Sequence, residues 1–156
     1  MRLLFLTHRD DVADHEKIRA RSGCDRLLHE ADVTRETRGV ERRISGDAPV
    51  PLGPDLLAIP TPGHTAGSTC LLFRDVLFSG DHLWASESSG RLSASRSVCW
   101  YSWEEQVRSM ERLLSHDFTT VLPGHGMRYL APSVEAAREG LRTLVARMRE
   151  RSPSAA

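Results

Sequence analysis

Short apolar runs recur along this chain, and several of them stop at a turn that carries histidine or aspartate. Arg2 to Leu6 leads into Thr7-His8-Arg9-Asp10-Asp11-Val12-Ala13-Asp14-His15, Leu56 to Pro60 into Pro62-Gly63-His64-Thr65, Val76 to Phe78 into Gly80-Asp81, and Thr119 to Leu122 into Pro123-Gly124-His125-Gly126. Apolar runs this short, bounded by turn residues, read as buried strands rather than helices. Strands that each end in a polar cluster can gather those clusters along one edge of a sheet, which is where α/β folds place their sites. Imidazole and carboxylate suit borderline and hard divalent ions, and a carboxylate can bridge two of them. The ordered set therefore points to a dinuclear metal site and a metal-dependent hydrolase.

Composition narrows the partners. The chain has 156 residues, with 21 basic and 21 acidic side chains. That length fits a single domain over 1–150 followed by a frayed tail at 151–156, and a chain of this size buries roughly 68–70% of its unfolded surface. Zero net charge gives no footprint for nucleic acid or an anionic membrane, so a small, weakly charged substrate is the expected partner. Cys24, Cys70 and Cys99 are far apart and form no CxxC pair, so neither a disulfide framework nor a thiolate zinc site is indicated, and a reducing cytoplasm is the expected location. The apolar start turns polar at Thr7, too soon for a signal peptide or a membrane span.

Between the clusters, helices alternate with strands. His15 to Arg21 follows Asp14, a good N-cap, and reads as a helix; Arg26 to His29 reads as a strand. Residues 34–54 are polar and punctuated by glycine and proline, a loop-rich passage with one alternating stretch near Val40 to Ile44. Thr69 to Phe73 and Val76 to Phe78 form a hairpin about Arg74-Asp75. Val107, Met110, Leu113 and Leu114 make a helical stripe within Trp103 to Ser115; a last helix opens at Pro132, with Val134, Ala137, Leu141, Leu144, Val145 and Met148 on its apolar face. The class is α/β.

With these motifs in order, the chain resembles the metallo-β-lactamase superfamily of metallo-hydrolases. That signature runs HxHxDH, a glycine-flanked His, a bridging Asp and a last His; the matching residues are His8 with Asp14-His15, His64 in TPGHTAGS, Asp81 in SGD and His125 in PGHG. The resemblance implies an αββα sandwich, here without part of its N-terminal sheet, since several strands usually precede the first motif. The exposed sheet edge this leaves invites a homodimer. It also implies that His8 and His64 hold one divalent ion, that Asp14, His15 and His125 hold the other, and that Asp81 bridges them. Zinc is the expected metal, and a metal-bound hydroxide would attack an ester, thioester or amide in glyoxalase II-like chemistry. Asp14 would also orient the water or carry its proton.

The first motif departs from the family pattern. It is two residues longer, and its second histidine is replaced by Asp10 or Asp11; Asp10, two residues after His8, is the narrower choice. An oxygen donor there shifts preference toward manganese or iron. Two further readings follow from the resemblance: an iron-dependent oxidoreductase using His8, His64 and Asp81, as in the superfamily's persulfide dioxygenases, and a catalytically impaired binding module. His82 reads equally as a supporting, a surface or a catalytic group. Trp84, Trp100, Tyr101 and Trp103 read as core or as the wall of a substrate pocket, and Cys99 as packing.

Overall fold

Strand direction and side-chain alternation organise the computed structural model, which describes residues 2–10 and 12–150. The first sheet is parallel throughout, in the order β1 (Leu3–Phe5), β2 (Asp25–His29), β3 (Arg42–Ile44), with helix α1 (His15–Ser22) crossing from β1 to β2. The second sheet begins with β4 (Val50–Gly53) at one edge, antiparallel to β5 (Leu56–Pro60), and continues through β6 (Thr69–Phe73) and β7 (Val76–Gly80) as a meander. A small hairpin, β8 (Trp84–Ala85) with β9 (Leu92–Ser93), and helix α2 (Trp103–Leu113) intervene before β10 (Thr120–Pro123), which lies parallel to β7 and carries β11 (Tyr129–Leu130) on its far side. Helix α3 (Val134–Glu150) ends the described chain.

The period of two in each strand builds the layers. Leu3, Phe5 and Leu27 join Ile44, Val50, Leu52 and Ala58 between the sheets, while Leu4, Leu6 and Leu28 pack with Val12, Val33 and Val40 on the other face. Ile59, Cys70, Leu72, Leu77 and Val121 face α2 and α3, where Met110, Leu113, Leu141, Leu144 and Met148 close the largest core. Hydrophobic burial on this side dominates the fold's stability. Alternation sends Phe78 to the opposite face from Leu77, and it stays 38% exposed because the three-stranded sheet packs over β4 and β5 only.

Most expected elements fall within a residue or two of their places. The short strands β8, β9 and β11 were not expected, and neither was β4, in the passage expected to be loop: Pro49, Pro51, Gly53 and Pro54 read as punctuation, yet an edge strand tolerates proline, and Val50 and Leu52 are pinned by the inter-sheet core. Asp14 stands at the N-terminus of α1 without a side-chain cap bond, whereas Ser102 accepts from Glu105 N at the start of α2. No helix among the described residues is long and apolar enough to cross a membrane. The expected frayed tail lies outside the described residues.

Topology alone brings the motifs together. Strands β5, β7 and β10 all run the same way, so the turns bearing His64, Asp81 and His125 leave the same edge of the second sheet. The end of β1 joins them because Thr69 N, at the start of β6, donates to Thr7 O at 2.8 Å.

At the far side of the first sheet, the buried guanidinium of Arg26 forks onto Glu41 at 2.9–3.0 Å and holds its carboxyl well below the usual carboxylate range. A folded-state pKa below the unfolded value stabilises the fold above about pH 4.3 and is lost as pH falls through it. Glu41→Gln should thus cost about 2 kcal/mol at pH 7, with the deficit against the parent shrinking below about pH 4 in urea unfolding.

Candidate metal centre

His8, His64 and Asp81 converge at this edge, with one ligand-type atom from each lying within 4.8 Å of the others. Their approach is controlled from behind. His64 Nδ1 hydrogen-bonds to Val98 O; a carbonyl only accepts, so Nδ1 carries the proton and Nε2 is left bare and aimed at the cluster. His8 Nδ1 pairs with Thr7 Oγ1 at 2.9 Å, which turns its Nε2 to the same point. The two rings meet edge to face with centroids 4.7 Å apart. His8 Nε2 and His64 Nε2 stand 3.7 and 3.8 Å from Asp81 Oδ2.

These atoms fit a metal ion. His8 Nε2, His64 Nε2 and Asp81 Oδ1 are buried without a hydrogen-bond partner, a costly arrangement for polar groups unless something binds them. Burial, chiefly, holds the His8 imidazole below its ordinary range, and the neighbouring Asp81 carboxylate offsets this only in part, so its lone pair is available at neutral pH. Neutral imidazoles with a carboxylate are a standard divalent-ion donor set. Donors 2.0–2.1 Å from a tetrahedral ion stand about 3.4 Å apart, a few tenths closer than the spacings here.

Asp10 also reaches the cluster, with Oδ2 at 3.2 Å from His64 Nε2 and its side chain 41% exposed at the mouth. His125 lies at the rim, 72% exposed, with Nε2 at 3.9 Å from Asp81 Oδ2. Asp14 and His15, expected as ligands of a second ion, are not brought here. Asp14 is 64% exposed and paired with Lys17 Nζ at 2.8 Å. His15 is buried against Arg26, whose Nη1 donates to His15 Nδ1 at 2.9 Å, and a guanidinium at that nitrogen bars a metal from it. Helix α1 opens at His15, directly after Asp14, and both side chains lie away from the cluster. Asp11 lies outside the described residues.

Several supporting groups carry no motif. The Asp32 carboxylate is wholly buried and accepts from Thr65 Oγ1 at 2.6 Å, Gly67 N at 2.8 Å and Arg9 N at 3.1 Å, tying the His64 turn to the His8 turn. Helix α2 grips the other side: Ser109 Oγ donates to Pro62 O at 2.6 Å, and Gly63 sits so close to Gln106 that a Cβ there would overlap it. Trp100 N and Tyr101 N both donate to His64 O, at 2.9 and 3.2 Å. His82 turns inward, 1% exposed, and burial pushes its pKa down to about 3, so it is a neutral group behind Asp81. Trp103 is core, its indole donating to Met148 O. Trp84 and Val98 line a cavity of about 250 Å³ with Asp81, His125 and Gly126, while Trp100 and Tyr101 are exposed.

No family model matches the chain. Among curated proteins, hydroxyacylglutathione hydrolase of Rhodospirillum rubrum is 28% identical over 133 residues, which is 83% of this chain and 48% of that protein, so the chain spans about half the length of this relative. Among solved structures, DIM-1 metallo-β-lactamase superposes with a TM-score of 0.64 at 16% identity, covering 89% of this chain and 66% of that one. The fold is that of the metallo-β-lactamase superfamily. An archaeal superfamily protein from Sulfolobus tokodaii superposes with a TM-score of 0.61 at 18% identity, over 92% and 67% of the two chains. ETHE1 from Myxococcus xanthus gives the same TM-score at 21% identity, over 98% and 71%. Within this metallo-β-lactamase fold, the cluster described above sits at the strand ends of both sheets.

Removing the Asp32 carboxylate strands two backbone N–H groups and a hydroxyl in a dry pocket. Asp32→Ala is expected to lower stability by about 3 kcal/mol, read as a fall in the urea midpoint at unchanged slope.

Proposed function

We propose that the chain is a metal-dependent hydrolase of esters, thioesters or amides that holds one divalent ion on His8, His64 and Asp81, with Asp10 as a further oxygen donor. The observation that carries this reading is the convergence of two buried imidazole nitrogens without hydrogen-bond partners on the half-buried carboxylate of Asp81. The hydrolase named among the curated relatives supports the reaction class. A bound divalent ion lowers the pKa of water from 15.7 to about 7 and polarises a carbonyl oxygen.

The chain's own residues supply the rest. Val98 O and Thr7 fix the imidazoles so that their Nε2 lone pairs stay directed inward. Asp10, partly exposed and 3.2 Å from His64 Nε2, is the carboxylate suited to take a proton from attacking water and return it to the leaving group, the role expected of Asp14. His125 at the rim lies where it can bond the substrate's polar end.

A second reading has its own support. Two histidines with one carboxylate is the donor set of non-haem iron(II) oxygenases, and the likeness to ETHE1 covers nearly the whole chain. Metal content per chain by plasma mass spectrometry separates the two. About one zinc or manganese is expected in the parent and in Asp14→Asn, with near-complete loss in His64→Ala and in ester hydrolysis alongside it. Stoichiometric iron would favour the oxidoreductase, and a parent chain with no metal after growth in supplemented medium would remove both.

A further inference from the structure

The cavity beside Asp81 has a polar end and an apolar body. Asp81 and His125 form the polar end, and Trp84, Val98 and the Gly126 backbone form the rest. Among the described residues neither arginine nor lysine lines it, so a carboxylate seated in its apolar body, against Trp84 and Val98, would lose its water without gaining an ion pair. Its volume of about 250 Å³ lies below the 300–1,000 Å³ of pockets that take drug-sized ligands. At roughly 30 Å³ per water, it has room for a compact group rather than a peptide-sized carrier.

The Trp84 wall is set before anything binds. Ala85 N donates to Met127 O at 2.8 Å, and Trp84 pairs with Ser93 across the small hairpin. Gly126, at a φ of 86°, lies so close that a Cβ on it would stand 3.1 Å from the indole Cδ1. A wall already fixed loses little freedom on binding, so an aromatic or branched apolar group placed against it keeps most of its contact energy.

We infer that this cavity is the recognition subsite for one side of the substrate, a compact, uncharged apolar or aromatic acyl group seated against Trp84, with carboxylate-bearing groups excluded from it. The inference rests on the hydrolase reading only for where the reacting carbonyl sits, at the Asp81 and His125 end. The group on the far side of the scissile bond lies toward Asp10 and open solvent.

The test reads binding, not turnover. Phenylacetamide is titrated into the zinc-loaded full chain, following by NMR the indole N–H signals of its three tryptophans and the Gly126 amide, with Trp84→Phe identifying the Trp84 signal. Saturable movement of the Trp84 signal with Trp103 unmoved is expected, with 4-carboxyphenylacetamide binding at least about tenfold more weakly and Trp84→Ala, followed at the Gly126 amide, weakening phenylacetamide about tenfold. Gly126→Val, which displaces the indole without removing it, should weaken binding in the same direction. An unmoved Trp84 signal, equal binding of 4-carboxyphenylacetamide, or undiminished binding in folded Trp84→Ala and Gly126→Val would each overturn the inference. Intact binding in a zinc- or manganese-loaded chain that hydrolyses no ester, thioester or amide would instead overturn the hydrolase reading and leave the subsite standing.

Discussion

The wholly buried carboxylate of Asp32 is the interaction on which the centre depends. A carboxylate out of water is costly unless donors surround it, and here one hydroxyl and two backbone N–H groups do so, from the turns after β1 and β5. Those turns belong to different sheets, and only a thin layer of Leu27, Ile44 and Ala58 with partly buried neighbours lies between the sheets. Without the charge-assisted bonds to Asp32, the His8 turn would be positioned mainly by that layer and by the Thr69 to Thr7 backbone bond. The carboxylate therefore converts loose packing between sheets into a fixed distance between two imidazoles.

Helix α2 provides the opposing grip, and it does so with the same residues that hold it in the largest core. Val107, Met110 and Leu113 bury one face of the helix, which leaves Gln106 and Ser109 facing the Pro62-Gly63 turn. Any side chain at Gly63 would push α2 off the sheet or the His64 turn off its mark, since interiors packed to crystal density have no slack to absorb it. Stability and site geometry are coupled here because one helix serves both.

Much of this was legible in the sequence, for a specific reason. Strands are short and strongly patterned, so their ends could be located and β6 and β7 read as a hairpin; that β5, β7 and β10 run the same way is seen only in the sheet. His8, His64, Asp81 and His125 were read as a set because each follows a short apolar run and because their order resembles the superfamily's signature. Asp14 and His15 were read through the resemblance, which supplies residue types but not the course of a lengthened turn; in the structure Asp14 precedes α1 and His15 opens it, where Lys17 and Arg26 pair with them. Asp32 had no sequence signal at all, because an aspartate among charged neighbours looks like surface, and its burial is decided by Thr65 and Gly67 more than thirty positions away. Pro51 hid β4 for a related reason: its meaning depends on whether the strand is an edge, which is a property of the whole sheet.

Burial is graded across the centre, and the gradient sorts its residues by task. His8 and His64 are 5% and 3% exposed, Asp81 17%, Asp10 41% and His125 72%. Groups at the dry end cannot exchange protons readily with solvent and are suited to hold a cation, where low dielectric strengthens their attraction. Those at the wet end can give or take protons and meet an incoming substrate. Asp81 stands between, its Oδ1 buried and its Oδ2 within 4 Å of three imidazoles. The apolar wall of Trp84 and Val98 ends at this residue, so the driest donors and the cavity meet at one carboxylate, and the burial gradient and the cavity share a single junction.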